Sequence, residues 1–287
     1  MATGKKFLRT ILITGATDGI GRQTAIVLSA NPENQLIIHG RSSDRCKNAV
    51  NHILSKSQSA GSQDEGRVSW ITGDFSKMAD VAAMATEVEK RFPSLNVLLC
   101  NAGVLLPQRQ LSQDGLEMTF QVNHLAHFAL TLRLLPLLQR NVPSRVIVVS
   151  SICHDWYPID WDDLQAGRNY EKYAQYSRTK LMNHLFTFAL ARRLAESAPS
   201  VTCNVLEPGV VQTKLLAAGG YSGSPVERSG RVGAFLAQSP DVAEVSGKYF
   251  SNGCEQINPG SGSVSESDQE RLWAYSVDLC AKCGIPM

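Results

Sequence analysis

Short apolar runs alternate along this chain with longer stretches in which apolar residues recur every three to four positions. The first pattern predicts strands buried on both faces, and the second predicts helices packed along one face. The runs fall at Thr10–Thr14, Gln35–Gly40, Val68–Thr72, Asn96–Cys100, Arg145–Ser150, Val201–Leu206 and Lys248–Ser251. Helical stretches lie near Arg22–Ala30, Asp44–Lys56, Met78–Arg91, Leu116–Gln139, Tyr173–Ala198 and Ser239–Val245. With right-handed crossovers, this alternation predicts an α/β fold with one doubly wound parallel sheet of about seven strands. Ser55–Gly66, Ala217–Ser229 and Asn258–Ser267 are polar and glycine- or serine-rich, so they read as loops; a final short helix carries Trp273 and Leu279.

Composition narrows the picture. At 287 residues and 43% hydrophobic, the chain suits a single domain, 1–287, with a sizeable core. A net charge of +2 excludes no small-molecule enzyme but gives no reason to expect nucleic acid or an anionic membrane as partner. Seven irregularly spaced cysteines predict reduced thiols and a cytoplasmic setting. Cys280 and Cys283 lack a second ligand pair, so no metal site is expected. The run Ile11–Ile13 is too short for a signal peptide, and Phe128–Leu138 is broken by Arg133 and Pro136; no membrane span is expected.

The first strand runs directly into Thr14-Gly15-Ala16-Thr17-Asp18-Gly19-Ile20-Gly21, which opens a helix. That setting suits a dinucleotide pyrophosphate. Gly15 permits a tight turn, Gly19 lets the backbone approach the phosphates, and Gly21 lets the helix pack closely on the sheet. The helix N-terminus offers free N–H groups to the anion. At the end of the second strand stands Arg41 rather than an acidic residue, which favours NADP(H) over NAD(H). Asp18 argues the other way, and Asp44 reads as a helix-starting residue.

These residues resemble the short-chain dehydrogenases/reductases, and the resemblance runs along essentially the whole chain. Thr14–Gly21 is similar to that family's glycine motif. Asn101-Ala102-Gly103, Ser151, Tyr176-x-x-x-Lys180 and Pro208-Gly209-x-x-x-Thr213 follow in its order. Asp114–Phe120 with Asn123–Phe128 resembles the branch holding retinol dehydrogenases and protochlorophyllide reductases; Ile159–Leu164 and Val245–Phe250 resemble the retinol-dehydrogenase side. Three departures stand out: no N-terminal membrane anchor is expected, Cys100 replaces a frequent asparagine, and the region after Thr213 is short and glycine-rich. The resemblance implies a Rossmann-type sheet. It implies a cofactor site of Gly15, Asp18, Gly19, Ile20, Gly21, Arg41, Asp74, Phe75, Asn101, Ala102, Gly103, Tyr176, Lys180, Pro208, Gly209, Val211 and Thr213. Asp74 would accept from the adenine amine, or would simply cap a helix before Ser76.

Carbonyl reduction needs a hydride on carbon and a proton on oxygen. Tyr176 is the candidate acid, and Lys180, at i+4 on the same helical face, is expected to lower its pKa. Ser151 is expected to hydrogen-bond the substrate oxygen, with Ser150 structural. Asn123 would hold a water leading protons to Lys180, or would be a satisfied core amide. His124 and His127 read as packed histidines. Loops near 153–173 and 217–229 would enclose the substrate; Trp156, Tyr157 and Trp161 either line the pocket or pack the loop down. The expected activity is reversible reduction of a bulky apolar aldehyde or ketone, retinoid- or steroid-like. The alternatives are a carbon–carbon double-bond reductase of the protochlorophyllide type and a non-catalytic dinucleotide sensor. Leu116–Gln139 and Tyr173–Ala198 are candidate faces for a homo-oligomer.

Overall fold

The computed structural model describes residues 7–57, 66–220 and 222–287. In chain order the elements are β1 (Arg9–Ile13), α1 (Gly19–Ser29), β2 (Asn34–Gly40), α2 (Ser43–Lys56), β3 (Val68–Thr72), α3 (Met78–Arg91) and β4 (Val97–Cys100). There follow α4 (Met118–Phe120), α5 (Ala126–Arg140), β5 (Ser144–Val149), α6 (Lys172–Ser197), β6 (Val201–Leu206) and α7 (Lys214–Gly219). The chain then forms α8 (Gly230–Gln238), β7 (Tyr249–Phe250), β8 (Gln256–Ile257) and α9 (Glu266–Lys282).

The strands form one sheet in the order β3-β2-β1-β4-β5-β6-β7-β8, parallel throughout except for β7 against β8. Alternation along each strand splits the core in two. Leu12, Ile37, Leu98, Val146 and Val205 face α3, α5, α6 and α9, while Ile11, Ile13, Leu36, Ile38 and Leu99 face α1, α2 and α8. The chain runs one way from β1 to β2 and β3 and the other way from β4 onward. A crevice therefore opens beyond the carboxyl ends of β1 and β4, where such sheets bind ligands.

Several expectations are corrected. Among the described residues the sheet has eight strands: Lys248–Ser251 narrows to Tyr249–Phe250, and a further two-residue strand pairs antiparallel with it. Ser239–Val245 is a 3-10 turn at Pro240–Val242; the helix there is α8, which precedes it and packs on α1. Ala217–Ser229 begins inside α7, and the closing helix α9 is 17 residues long, starting within the stretch read as a loop. Of the Ser55–Gly66 loop, residues 58–65 lie outside the described residues.

Leu116–Gln139 is not one continuous α-helix. Gln121–Leu125 forms a π turn between α4 and α5. There, side chains hold the backbone: Gln121 donates to Asp114 and to the Phe75 carbonyl, and Asn123 bonds the backbone of Val104. Such a widened turn is frequent at functional sites. α9 packs along α6, where Arg192 and Arg193 pair with Glu270.

Candidate active site

The glycine turn is built by threonine and asparagine as much as by glycine. Thr14 ends β1, and its hydroxyl oxygen accepts from the N–H groups of Asn101 (2.8 Å) and Ala102 (3.0 Å). The Asn101 amide returns bonds to the carbonyls of Thr14 (2.8 Å) and Gly15 (3.3 Å). The two loops at the mouth of the crevice are thereby one unit. Gly15 has φ +64, and a Cβ there would lie 2.7 Å from Ala102 Cα. A Cβ on Gly21 would fall 2.5 Å from Asn101 Nδ2, so any side chain there would separate α1 from the sheet.

Two histidines lock this unit in defined tautomers. Gly15 N–H donates to His39 Nδ1 (3.2 Å), which leaves His39 Nε2–H to donate to the Gly73 carbonyl (3.0 Å). His127 Nδ1–H donates to the Asn123 carbonyl (3.1 Å), so its Nε2 accepts from the Thr14 hydroxyl (2.8 Å). Burial pushes the pKa of His39 down to about 4 and that of His127 to about 3. His124 is equally buried and bonds Ser276, so both packed-histidine expectations match the geometry.

A cleft of about 500 Å³ starts at Arg41, Asp74 and Phe75 and passes Gly15, Asp18, Gly19 and Ile20 on one side and Asn101, Ala102 and Gly103 on the other. It ends at Tyr176 and Lys180, with Pro208 and Thr213 closing it. Gly21, Asn123, Ser151, Gly209 and Val211 do not line it. Gly21 and Gly209 act from behind through close packing, the latter against Asn252. Val211 is buried and bridges Ser224. His39, Arg45, Lys214 and Leu215, beyond the residues expected from the sequence, also line the cleft. His39 and Arg45 flank Arg41, and their place around the end of β2 was the available signal.

At the end of the cleft beyond β2, Arg41 and Arg45 are exposed, and Asp44 sits in the first turn of α2, as its helix-starting reading requires. Asp74 accepts from Ser76 N–H (3.0 Å) and Ser76 Oγ (2.8 Å), a local turn rather than a cap, since the N-cap of α3 is Lys77 and receives no side-chain bond, and it lines the cleft. Asp18 caps α1 by accepting from Gly19 N–H (2.9 Å) and pairs with Lys214 (2.6 Å) and Arg22 (3.3 Å). Burial would raise its pKa, but the Lys214 bond, the Gly19 N–H and Arg22 together hold it below the usual carboxylate value.

At the other end, Glu171 caps α6 by accepting from Tyr173 and Ala174 N–H, and this start sets Tyr176 and Lys180 one turn apart. Lys180 Nζ donates to the Val149 carbonyl (3.1 Å) and lies 5.4 Å from the centre of the Tyr176 ring. Burial pushes Lys180 down to about 8. The expected lowering of the Tyr176 pKa is not seen. Burial raises it, Cys153 adds to the rise, and only a hydrogen bond with Ser151 opposes it. The ammonium is committed to a carbonyl and to the ring face, so desolvation outweighs its field.

Ser150 Oγ donates to the Lys180 carbonyl (2.9 Å), a structural bond, whereas the Ser151 oxygen accepts from Cys153 and its hydroxyl counts among the groups acting on Tyr176. The Asn123 amide is held at both ends: Oδ1 accepts from Val104 N–H (2.8 Å), and Nδ2 donates to Val104 O (3.0 Å) and Thr179 Oγ1 (3.1 Å). These bonds tie the segment after Gly103 to α6 and leave one Oδ1 lone pair for a further donor. The 153–173 aromatics divide: Trp161 packs on the core under Arg271, while Trp156 and Tyr157 are exposed and line no part of this cleft. Among the described residues no helix is long and apolar enough to cross a membrane, and no cluster of ligands could hold a metal ion.

The chain is similar to known proteins. The family model for short chain dehydrogenase matches residues 9–220. Human retinol dehydrogenase 14 is 37% identical over 93% of this chain and 85% of its own length. Mouse polyprenol dehydrogenase is 33% identical over 96% and 85%. Among solved structures, an uncharacterized protein from Mycobacterium paratuberculosis superposes with a TM-score of 0.78 at 25% identity, covering 98% of this chain and 95% of its own. A short-chain dehydrogenase from Shigella flexneri 2a, solved with NADP, has a TM-score of 0.67 over 86% of this chain and 98% of its own; at 21% identity it speaks to the fold alone. The glycine turn, the crevice beyond β1 and β4 and these matches together place the chain in the short-chain dehydrogenase/reductase family, with a resemblance to its retinol-dehydrogenase branch.

Proposed function

We propose that this oxidoreductase uses NADP(H) to reduce the carbonyl of a bulky apolar aldehyde or ketone, and to oxidise the corresponding alcohol. The carrying observation is that one cleft joins the Gly15–Ile20 turn to the Tyr176–Lys180 pair. A dinucleotide fits the residues present: a Cβ at Gly15 or Gly21 would destroy the cradle, and the Asp18 carboxylate is answered by Lys214 and Arg22. The exposed Arg41 and Arg45 at the end of β2 favour a 2′-phosphate. The apolar substrate class draws support from the similarity to proteins named for retinol and polyprenol.

When bound, the nicotinamide supplies the hydride. Tyr176 gives its phenolic proton to the substrate oxygen, and Ser151 holds that oxygen with its hydroxyl. A raised phenol pKa keeps Tyr176 protonated and ready to donate. Lys180 stabilises the phenolate left behind, which it does only while charged.

NADPH should therefore support reduction of an aldehyde panel including all-trans-retinal far better than NADH. Arg41→Ala should narrow that preference by roughly tenfold or more, the worth of a charged hydrogen bond. Equal kcat/KM for the two cofactors in the wild type would refute the NADP assignment, and no oxidation of either with any carbonyl would refute the reductase. Reduction should also fall away above about pH 8 as Lys180 deprotonates. Lys180→Arg should move that alkaline limb upward; an unmoved limb would assign it to another group.

A further inference from the structure

Cys153 sits beside the proton-transfer groups but takes no part in the chemistry above. Ser151 opens the 3-10 turn Ile152–Asp155, and its backbone is anchored: its carbonyl accepts from His154 N–H (3.1 Å) and bonds His154 Nδ1 (2.9 Å). What remains free is rotation of its hydroxyl. The Ser151 oxygen accepts twice from one residue, from Cys153 N–H (3.4 Å) and from the Cys153 thiol (3.2 Å). A hydroxyl has two lone pairs and one proton. With both lone pairs turned toward Cys153, the proton points away from Cys153, and Tyr176 is a further side chain that Ser151 bonds.

We infer that Cys153 is a positioning residue whose thiol fixes the Ser151 hydroxyl as a hydrogen-bond donor toward the reacting oxygen. The inference rests on the carbonyl-reductase reading of the site. Without the thiol, Ser151 would keep only the weak backbone bond and could turn to accept from Tyr176, the wrong polarity for holding a developing oxyanion. Cys153 is 6% exposed, and burial raises its pKa, so the thiol stays protonated and able to donate.

Infrared spectroscopy tests this without substrate. The S–H stretch of Cys153 is isolated by subtracting the Cys153→Ala spectrum from that of the wild type. It should rise in frequency in Ser151→Ala, where the acceptor is gone; an unmoved band overturns the inference. Steady-state reduction of all-trans-retinal by NADPH adds a functional readout. Cys153→Ala should lose roughly tenfold in kcat with KM for NADPH unchanged, the cost of one orienting bond. Cys153→Ser, which keeps a donor, should recover most of that loss. Equal losses in the two variants, or a loss confined to KM, would overturn the proposal. Absence of turnover in the wild type would count against the reductase reading, and the infrared result would still decide the role of the thiol.

Discussion

Tyr176→Phe is expected to lower kcat by about 10²–10⁴-fold, the usual worth of a positioned general acid, while dinucleotide affinity stays within about threefold of the wild type. The substitution removes one oxygen and leaves the ring in place. The Lys180 bond to Val149 does not involve that oxygen, and the glycine cradle does not touch it. A fall in kcat without a change in binding separates proton transfer from cofactor positioning. Stopped-flow absorbance for the chemical step, with fluorescence titration of NADPH for binding, measures the two. A variant that keeps wild-type kcat would remove Tyr176 from the mechanism.

The second large effect concerns pH and stability. Burial holds His39 down to about 4, His124 and His127 to about 3, and His184 well below its ordinary value. His184 is fully buried and stacks on His154 with ring centres 4.0 Å apart. The unfolded chain binds protons at these positions from about pH 6.5 downward, and the native state does not. Stability is therefore full above about pH 6.5 and is lost as pH falls toward the folded-state values. At about pH 5, each such histidine costs about 2 kcal/mol, so the group removes several kcal/mol from a total of roughly 5–15. The urea midpoint should fall steeply between about pH 7 and pH 5, before most carboxylates titrate. A flat midpoint across that range would show that these rings are protonated in the folded protein. Acid should also damage the site first, since protonating His39 Nδ1 or His127 Nε2 breaks the bonds to Gly15 and Thr14.

The strands β1, β2, β4, β5 and β6 were legible in the sequence because each is almost wholly buried and carries a short cluster of apolar residues, whereas β3, half-buried at the sheet edge, reads from Val68, Trp70 and Ile71 alone. The glycine turn was legible from its setting between a strand and a helix, and the Tyr176–Lys180 pair from its position in an ordered set of motifs rather than from spacing alone. β7 was legible only as the short run Lys248–Ser251, and the two-residue β8 carries no period to detect. The π turn at Gln121–Leu125 depends on side-chain bonds to Val104, Asp114 and Phe75, none of which a helical pattern contains. α8 was missed because Gly230 and Gly233 look like loop residues; they are small because α1 lies close, where a Cβ on Gly230 would come 2.7 Å from the Gln23 backbone. The pKa of Tyr176 was misjudged for a related reason. Spacing showed a nearby positive charge, but burial, which decides the sign, exists only in three dimensions.

The central claim is that one cleft brings a nicotinamide hydride and the Tyr176 proton to the same carbonyl. Its most direct test is a single turnover of wild type and Tyr176→Phe with all-trans-retinal and NADPH deuterated at the transferring position of the nicotinamide. The account predicts deuterium on the former carbonyl carbon of the wild-type product, and the same transfer slowed by about 10²-fold or more in the variant. Deuterium absent from that carbon, or transferred equally fast by Tyr176→Phe, would contradict it.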